Sequence, residues 1–312
     1  MIEMNTQSKR KIARNILLYL GLVFIASLLW KSWEEVYQIV AQMNYVIFCL
    51  SVFAGIPGIV VTAFLFNSFL AKYDISIPDV KAIQIFVVSQ IAKYIPGKIW
   101  GLIYQASHIQ GFPATAGVIM ANTELMFAVM FMTSIAAIIV LAAQFSLALS
   151  ILILIIGGVA FVLLCRTSAF IWLARFALRV LNKQGDYGQS NQQANIESLR
   201  GLLIYVLFTA IYIGSYLLML QAVFDIGVFD SLILIALLSI AWIGGVLSLV
   251  FPAGVGIREF LFIFFSVQVE LDYSFELLVS IALVTRFWQV LQEVSALALV
   301  FLLTGRRSDT DT

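Results

Sequence analysis

Seven ionisable side chains lie in or beside stretches that are otherwise apolar: Lys93, Lys98, Glu124, Arg258, Glu259, Arg286 and Glu293. Each costs on the order of 2.5–3.5 kcal/mol at the centre of a membrane span on insertion scales. Such charges must be paired, set in a polar cavity or held near an interface. Taken together, Lys98, Arg258 and Arg286 have the chemistry to hold an anionic group, most naturally a lipid phosphate. Arginine makes paired hydrogen bonds to such a group, and glycine lets backbone N–H groups come close to it. Glu124 and Glu259 would balance charge when the site is empty, or gate it. The plainer reading is a structural network in which Glu259 or Glu124 pairs with an arginine and no ligand is involved. Arg286 and Glu293 have Gln289 between them on one helical face, which makes a polar stripe on the last helix. Lys93 is explained by snorkelling to the interface.

The elements that must position these charges are membrane helices. Of the 312 residues, 62% are hydrophobic and 11% charged, and mean hydropathy is +1.03. A soluble domain carries about 25% charged residues, so this chain lacks the polar surface to face water on all sides. A net charge of +1 gives no field to steer nucleic acid. Cys49 and Cys165 form no C-x-x-C pair, and His108 has no neighbouring ligand, so neither a redox motif nor a metal site is read here. No cofactor is expected.

A span needs about 20 mostly apolar residues. Runs 15–30, 45–70, 116–142, 145–165, 201–223, 231–251 and 277–303 fit. The stretch 82–107 is broken by Pro96 and Gly97, and 251–269 by Pro252, Gly254 and Gly256. The basic segments are the amino terminus, the loop with Lys72 and Lys81, the loop 166–200 and the end with Arg306 and Arg307. The positive-inside rule puts these on the cytoplasmic side. Parity then makes 82–107 a re-entrant element turning near Pro96, while 252–269 crosses outward. For 252–269 a second re-entrant hairpin stays open, which would put the carboxyl terminus outside.

The expected architecture is all-α: one polytopic membrane domain over 1–312, with eight crossings plus a re-entrant hairpin and both termini cytoplasmic. Its first half is 10–183 and its second 200–305, joined by a polar linker at 184–199. Arg175, Arg179 and Lys183 share one helical face, either of a basic surface helix or of an extension of the preceding span. The halves echo each other. Each has two spans followed by a broken element: Tyr94-Ile95-Pro96-Gly97-Lys98-Ile99-Trp100-Gly101 in the first, and Pro252-Ala253-Gly254-Val255-Gly256-Ile257-Arg258-Glu259 in the second. Repeat-built transporters bind substrate where such discontinuous helices meet, since freed backbone at membrane depth needs protein or a watery cavity beside it.

These two elements resemble the Y-x-P-G-x-x-x-G and P-G-G-x-G-x-R-E patterns of the lysylphosphatidylglycerol synthase transmembrane-region family, over about residues 10–305. Ala253 stands where the family pattern has glycine, and Leu125 follows Glu124 where a basic residue is expected. The resemblance implies handling of anionic phospholipid or lipid-linked sugar in the bacterial envelope. The aminoacyl-transfer domain of larger relatives is not expected here, because few residues follow Leu303. The expected function is therefore translocation of an anionic lipid or lipid-linked headgroup in the cytoplasmic membrane. The alternative is a non-transporting partner of an envelope lipid- or polysaccharide-modifying enzyme, docking through Arg175 and Arg179. A membrane-embedded transferase with Glu124 or Glu259 as base ranks last, with no nucleotide or metal motif to support it.

Overall fold

The computed structural model describes residues 33–73, 75–92, 100–109, 112–143, 151–152, 155–156, 198–224, 226–247, 256–269 and 273–305. The first expected span, the basic segment 166–183, nearly all of the linker and most of 145–165 lie outside these residues. The described helices are α1 (Trp33–Gln42), α2 (Tyr45–Ala71), α3 (Asp79–Ala92), α4 (Trp100–His108), α5 (Phe112–Ala143), α6 (Ser198–Phe224), α7 (Val228–Leu247), α8 (Ile257–Gln268) and α9 (Phe275–Gly305). Five of them contain stretches long and apolar enough to cross a membrane: Tyr45–Ala71, Gly117–Ala143, Leu203–Phe224, Val228–Leu247 and Phe275–Leu303. The chain is a multi-pass, all-helical membrane protein. Phe53, Phe260, Phe287 and Phe301 stand exposed on the outer faces, where lipid rather than water must be their solvent.

Contacts at the helix ends set the directions of the helices. Asn44 caps α2 by accepting the Ile47 N–H at 3.1 Å, and its own N–H donates to the Ala222 carbonyl near the end of α6 at 2.8 Å. The start of α2, the end of α6 and the start of α7 therefore share one end of the bundle. At the other end, Asn67 donates to the Ile77 carbonyl at 3.1 Å and to Asp79 at 2.8 Å, which turns the chain from α2 into α3.

Helices α3 and α4, of 14 and 9 residues, measure about 21 and 14 Å, each short of the roughly 30 Å hydrocarbon core. They pack on each other. Gln105 on α4 donates to Ser89 on α3 at 2.7 Å and accepts from Asn122 on α5 at 2.6 Å. Gly101 lies so close to α3 that a Cβ there would stand 2.9 Å from the Ser89 carbonyl oxygen. Residues 93–99, where the re-entrant turn is expected, lie outside the described residues.

Helix α8 has 12 residues, about 18 Å, and is not a span by itself. Its direction is still settled by contacts to α7. Leu261 near its start lies against Gly244 near the end of α7. Beyond its end, the Tyr273 hydroxyl donates to Asp230, at the start of α7, at 2.8 Å. Helix α8 therefore runs back along α7, from the end of α7 towards its start. Burial, then the Asp230 carboxylate, push the Tyr273 phenol up to about 12. The stability this gives is complete below a phenol's usual 10.0 and is lost as pH rises towards 12.

Impermeant-maleimide labelling tests this path in a chain carrying Cys49→Ser and Cys165→Ser. Val228→Cys and Phe275→Cys should label from one face and Val80→Cys from the other. Labelling of Phe275→Cys together with Val80→Cys would instead mean a re-entrant 252–269.

Candidate functional site

The first turn of α8 concentrates the charge of the second half. Gly256 precedes it with φ 85°, a left-handed conformation that glycine adopts without a Cβ clash. The Gly256 N–H donates to Glu259 Oε2 at 2.8 Å, so the carboxylate caps its own helix and offsets the positive end of the helix dipole. The other oxygen, Glu259 Oε1, accepts from Arg286 Nε on α9 at 2.5 Å. Glu259 is 1% exposed, and its negative charge is matched within hydrogen-bond distance.

Arg258 is 5% exposed and has different company. Its guanidinium donates to Gln289 Oε1 on α9 at 2.6 Å and to the Tyr216 hydroxyl on α6 at 3.2 Å. Gln289 Nε2 also donates to the Tyr216 hydroxyl, at 2.5 Å. Among the described residues, the groups that hydrogen-bond Arg258 are both neutral. Tyr216 is held in place by the Trp288 ring, edge-on at 4.6 Å, and Trp288 is held in turn by donation to the Ser51 hydroxyl at 2.8 Å. Packing and hydrogen bonds thus leave the guanidinium's immediate partners little freedom.

Tyr216 and Gln289 also form part of the wall of a cavity of about 110 Å³ between α2, α6 and α9. Gly55, Thr62, Ser215 and Gln292 complete its more polar side. That volume takes a few waters or a small polar group, since a water's share of liquid is about 30 Å³. Both hydrogen-bond partners of the buried cation therefore border a space with room for a few waters.

The structure thus brings together Gly256, Arg258, Glu259 and Arg286. Glu124 belongs to another contact. It is wholly buried on α5 and takes hydrogen bonds from Lys72 Nζ at 3.2 Å and from the Tyr73 hydroxyl, with Lys72 also over the Phe69 ring. It ties α5 to the end of α2, and α5 packs mainly on α2, α4, α6 and α7. Gly101 serves the α3–α4 contact. Lys98, Tyr94, Pro96, Gly97, Pro252 and Gly254 lie outside the described residues.

Sequence reading did not single out Tyr216, Gln292 or Lys72. Tyr212 and Tyr216, four residues apart in an apolar helix, were the available sign of a polar face. Nothing local marks Lys72 as the partner of a glutamate 52 residues away. Among the described residues, no three His, Cys, Asp or Glu side chains gather as metal ligands would.

A family model described as the lysylphosphatidylglycerol synthase TM region matches residues 17–292. The chain belongs to this family. No curated protein and no solved structure matched the chain. Within the lysylphosphatidylglycerol synthase transmembrane region fall the α3–α4 contact, the Lys72–Glu124 pair and the whole Arg258 cluster with its cavity wall up to Gln292.

The two charge environments predict different mutational costs. Glu259→Gln keeps an acceptor for Gly256 but removes the charge facing Arg286, and should destabilise by about 3–5 kcal/mol. The double replacement Glu259→Met/Arg286→Met should recover most of that loss. Thermal unfolding of the purified protein in detergent measures both.

Proposed function

We propose that this member of the family binds an anionic lipid or lipid-linked headgroup at the Arg258 cluster and carries it across the membrane. One observation carries the reading: a buried guanidinium whose direct partners are a phenol and an amide, both on the wall of a cavity that Thr62, Ser215 and Gln292 also line. The effective penalty for burying an ion is several kcal/mol, and neutral hydrogen bonds offset only part of it. A phosphate entering the cavity would take over those bonds as charge-assisted, paired ones. Arg286 is already engaged by Glu259, so Arg258 is the primary ligand-binding group and the Arg286–Glu259 pair its support. Lys98 would contribute from the first broken element, and Glu124 would act from the α2–α5 contact.

In this reading the chain crosses the membrane eight times, in two repeated halves that each present one broken element. It lies in the bacterial cytoplasmic membrane with both termini in the cytoplasm. Its partners are membrane lipids, and an envelope-biosynthesis enzyme would supply or consume the cargo. In this reading the chain binds and moves its ligand without bond chemistry.

Reconstitution into vesicles with a fluorescent anionic lipid tests the proposal. Wild type should flip the probe, Arg258→Ala should lose at least ~90% of the rate, and Arg258→Lys should recover part of it, because lysine keeps charge but not the paired geometry. Equal flipping by wild type and Arg258→Ala would remove the translocation reading.

A further inference from the structure

Helix α2 carries Pro57 near the middle of its 27 residues. Proline has no N–H, so the helix lacks the bond that residue 57 would give the Phe53 carbonyl, and the ring crowds that turn. Sharp bends in helices fall at such positions. The turn before it is also shared with α9. Gln292 donates to the Ser51 carbonyl at 3.3 Å, and it lies so close over Gly55 that a Cβ there would stand 1.8 Å from its amide nitrogen. Between Ser51 and Gly58, α2 is therefore held by a neighbour as much as by its own ladder.

The two limbs of α2 belong to different cores. Phe48 and Val52, before the proline, are buried with Leu220 of α6, Leu238 of α7, Phe262 of α8 and Val279 of α9. Leu65, Phe66 and Leu70, after it, are buried with Phe86 of α3, Leu125 of α5 and Tyr205 near the start of α6. No described residue of α9 enters this second core.

Towards the end of the bundle that carries Lys72, α9 meets α2 and α3 through a third and much smaller core: Ile56, Val87 and Ala296. Ile59 belongs to two places, since it lines the α2–α6–α9 cavity and also packs on this small core. Gln292, another residue of the cavity wall, stands one turn before Ala296 on α9. The seam thus borders the cavity on the side of Lys72. Parting it costs little beyond local packing, because lipid tails are as apolar as the side chains they would replace.

We infer that Pro57 is a hinge and the Ile56–Val87–Ala296 seam a gate. Bending at Pro57 carries the second limb of α2, with α3, away from the last turns of α9 and opens the cavity towards the Lys72 end. The first limb stays clamped to α9, because Ser51 accepts from Trp288 through its hydroxyl and from Gln292 through its carbonyl. A few residues that absorb the backbone change while packed bodies stay rigid are what a hinge requires. The gate rests on the transport reading of the Arg258 cluster. It supplies the entrance that a cavity of about 110 Å³ needs before a headgroup can pass.

Thiol labelling of Thr62→Cys, on the cavity wall, reads the gate without any lipid cargo. The parent chain also carries Cys49→Ser and Cys165→Ser and sits in phosphatidylcholine nanodiscs. Adding Pro57→Ala should slow modification by a methanethiosulfonate reagent several-fold, since the helix regains its missing bond. Adding Ala296→Leu, which overfills the seam, should instead speed it several-fold. In vesicles, the Pro57→Ala chain should flip a fluorescent anionic lipid several-fold more slowly, while its thermal unfolding in detergent comes at no lower temperature than the parent's. Equal labelling of all three chains, or a Pro57→Ala chain that labels slowly yet flips at the parent rate, would overturn the gate. A parent that shows these labelling differences but flips no anionic lipid would strike the anionic-cargo reading alone and leave the hinge standing.

Discussion

A guanidinium cannot be left alone in hydrocarbon, and the second half of this protein is arranged around that constraint. Arg258 is carried on the first turn of a short helix that begins at a left-handed glycine. From there it reaches α6 and α9 at once, through Tyr216 and Gln289. Trp288 braces Tyr216 and is itself tied to Ser51 on α2. The placement of one cation thus requires four helices to pack in one way, and the cavity lies where their polar side chains converge.

The neighbouring carboxylate explains why the hydrogen-bond partners of the cation are neutral, although its charge also acts on Arg258. Glu259 is consumed by its own helix cap and by Arg286, which are local and geometrically good partners. Of the two arginines beside it, Arg258 on its own helix and Arg286 on α9, Glu259 bonds the one on α9. The first half uses its carboxylate differently. Glu124 joins Lys72 and Tyr73 to close α5 against α2. Lysine keeps a flexible stem and a compact charge there, where no paired geometry is needed.

Much of this is legible in the sequence, for reasons that differ by residue. The all-helical membrane class follows from charge scarcity, because that is a property of the lipid solvent. Gly256, Arg258 and Glu259 stand out because a glycine-flanked charge pair inside an apolar run is too costly to persist without a partner or a ligand. Hydropathy alone leaves the path of 252–269 open. Its helix is too short to register as a span, and its direction depends on a side-chain contact, Tyr273 to Asp230, that has no local signature. Chemistry alone groups Glu124 with the arginines, but the packing of α5 on α2 fixes its partner. The role of Tyr216 is hidden for the same reason, since an aromatic in an apolar helix reads as core until the facing helix is known.

The central claim is that Arg258 waits for an anion. The most direct measurement is an experimental density map of the protein in nanodiscs rich in anionic phospholipid. The account predicts headgroup density in the α2–α6–α9 cavity with a phosphate oxygen about 2.7–2.9 Å from the Arg258 guanidinium. A map with the guanidinium still closed on Tyr216 and Gln289, and no lipid headgroup in the cavity, would contradict it.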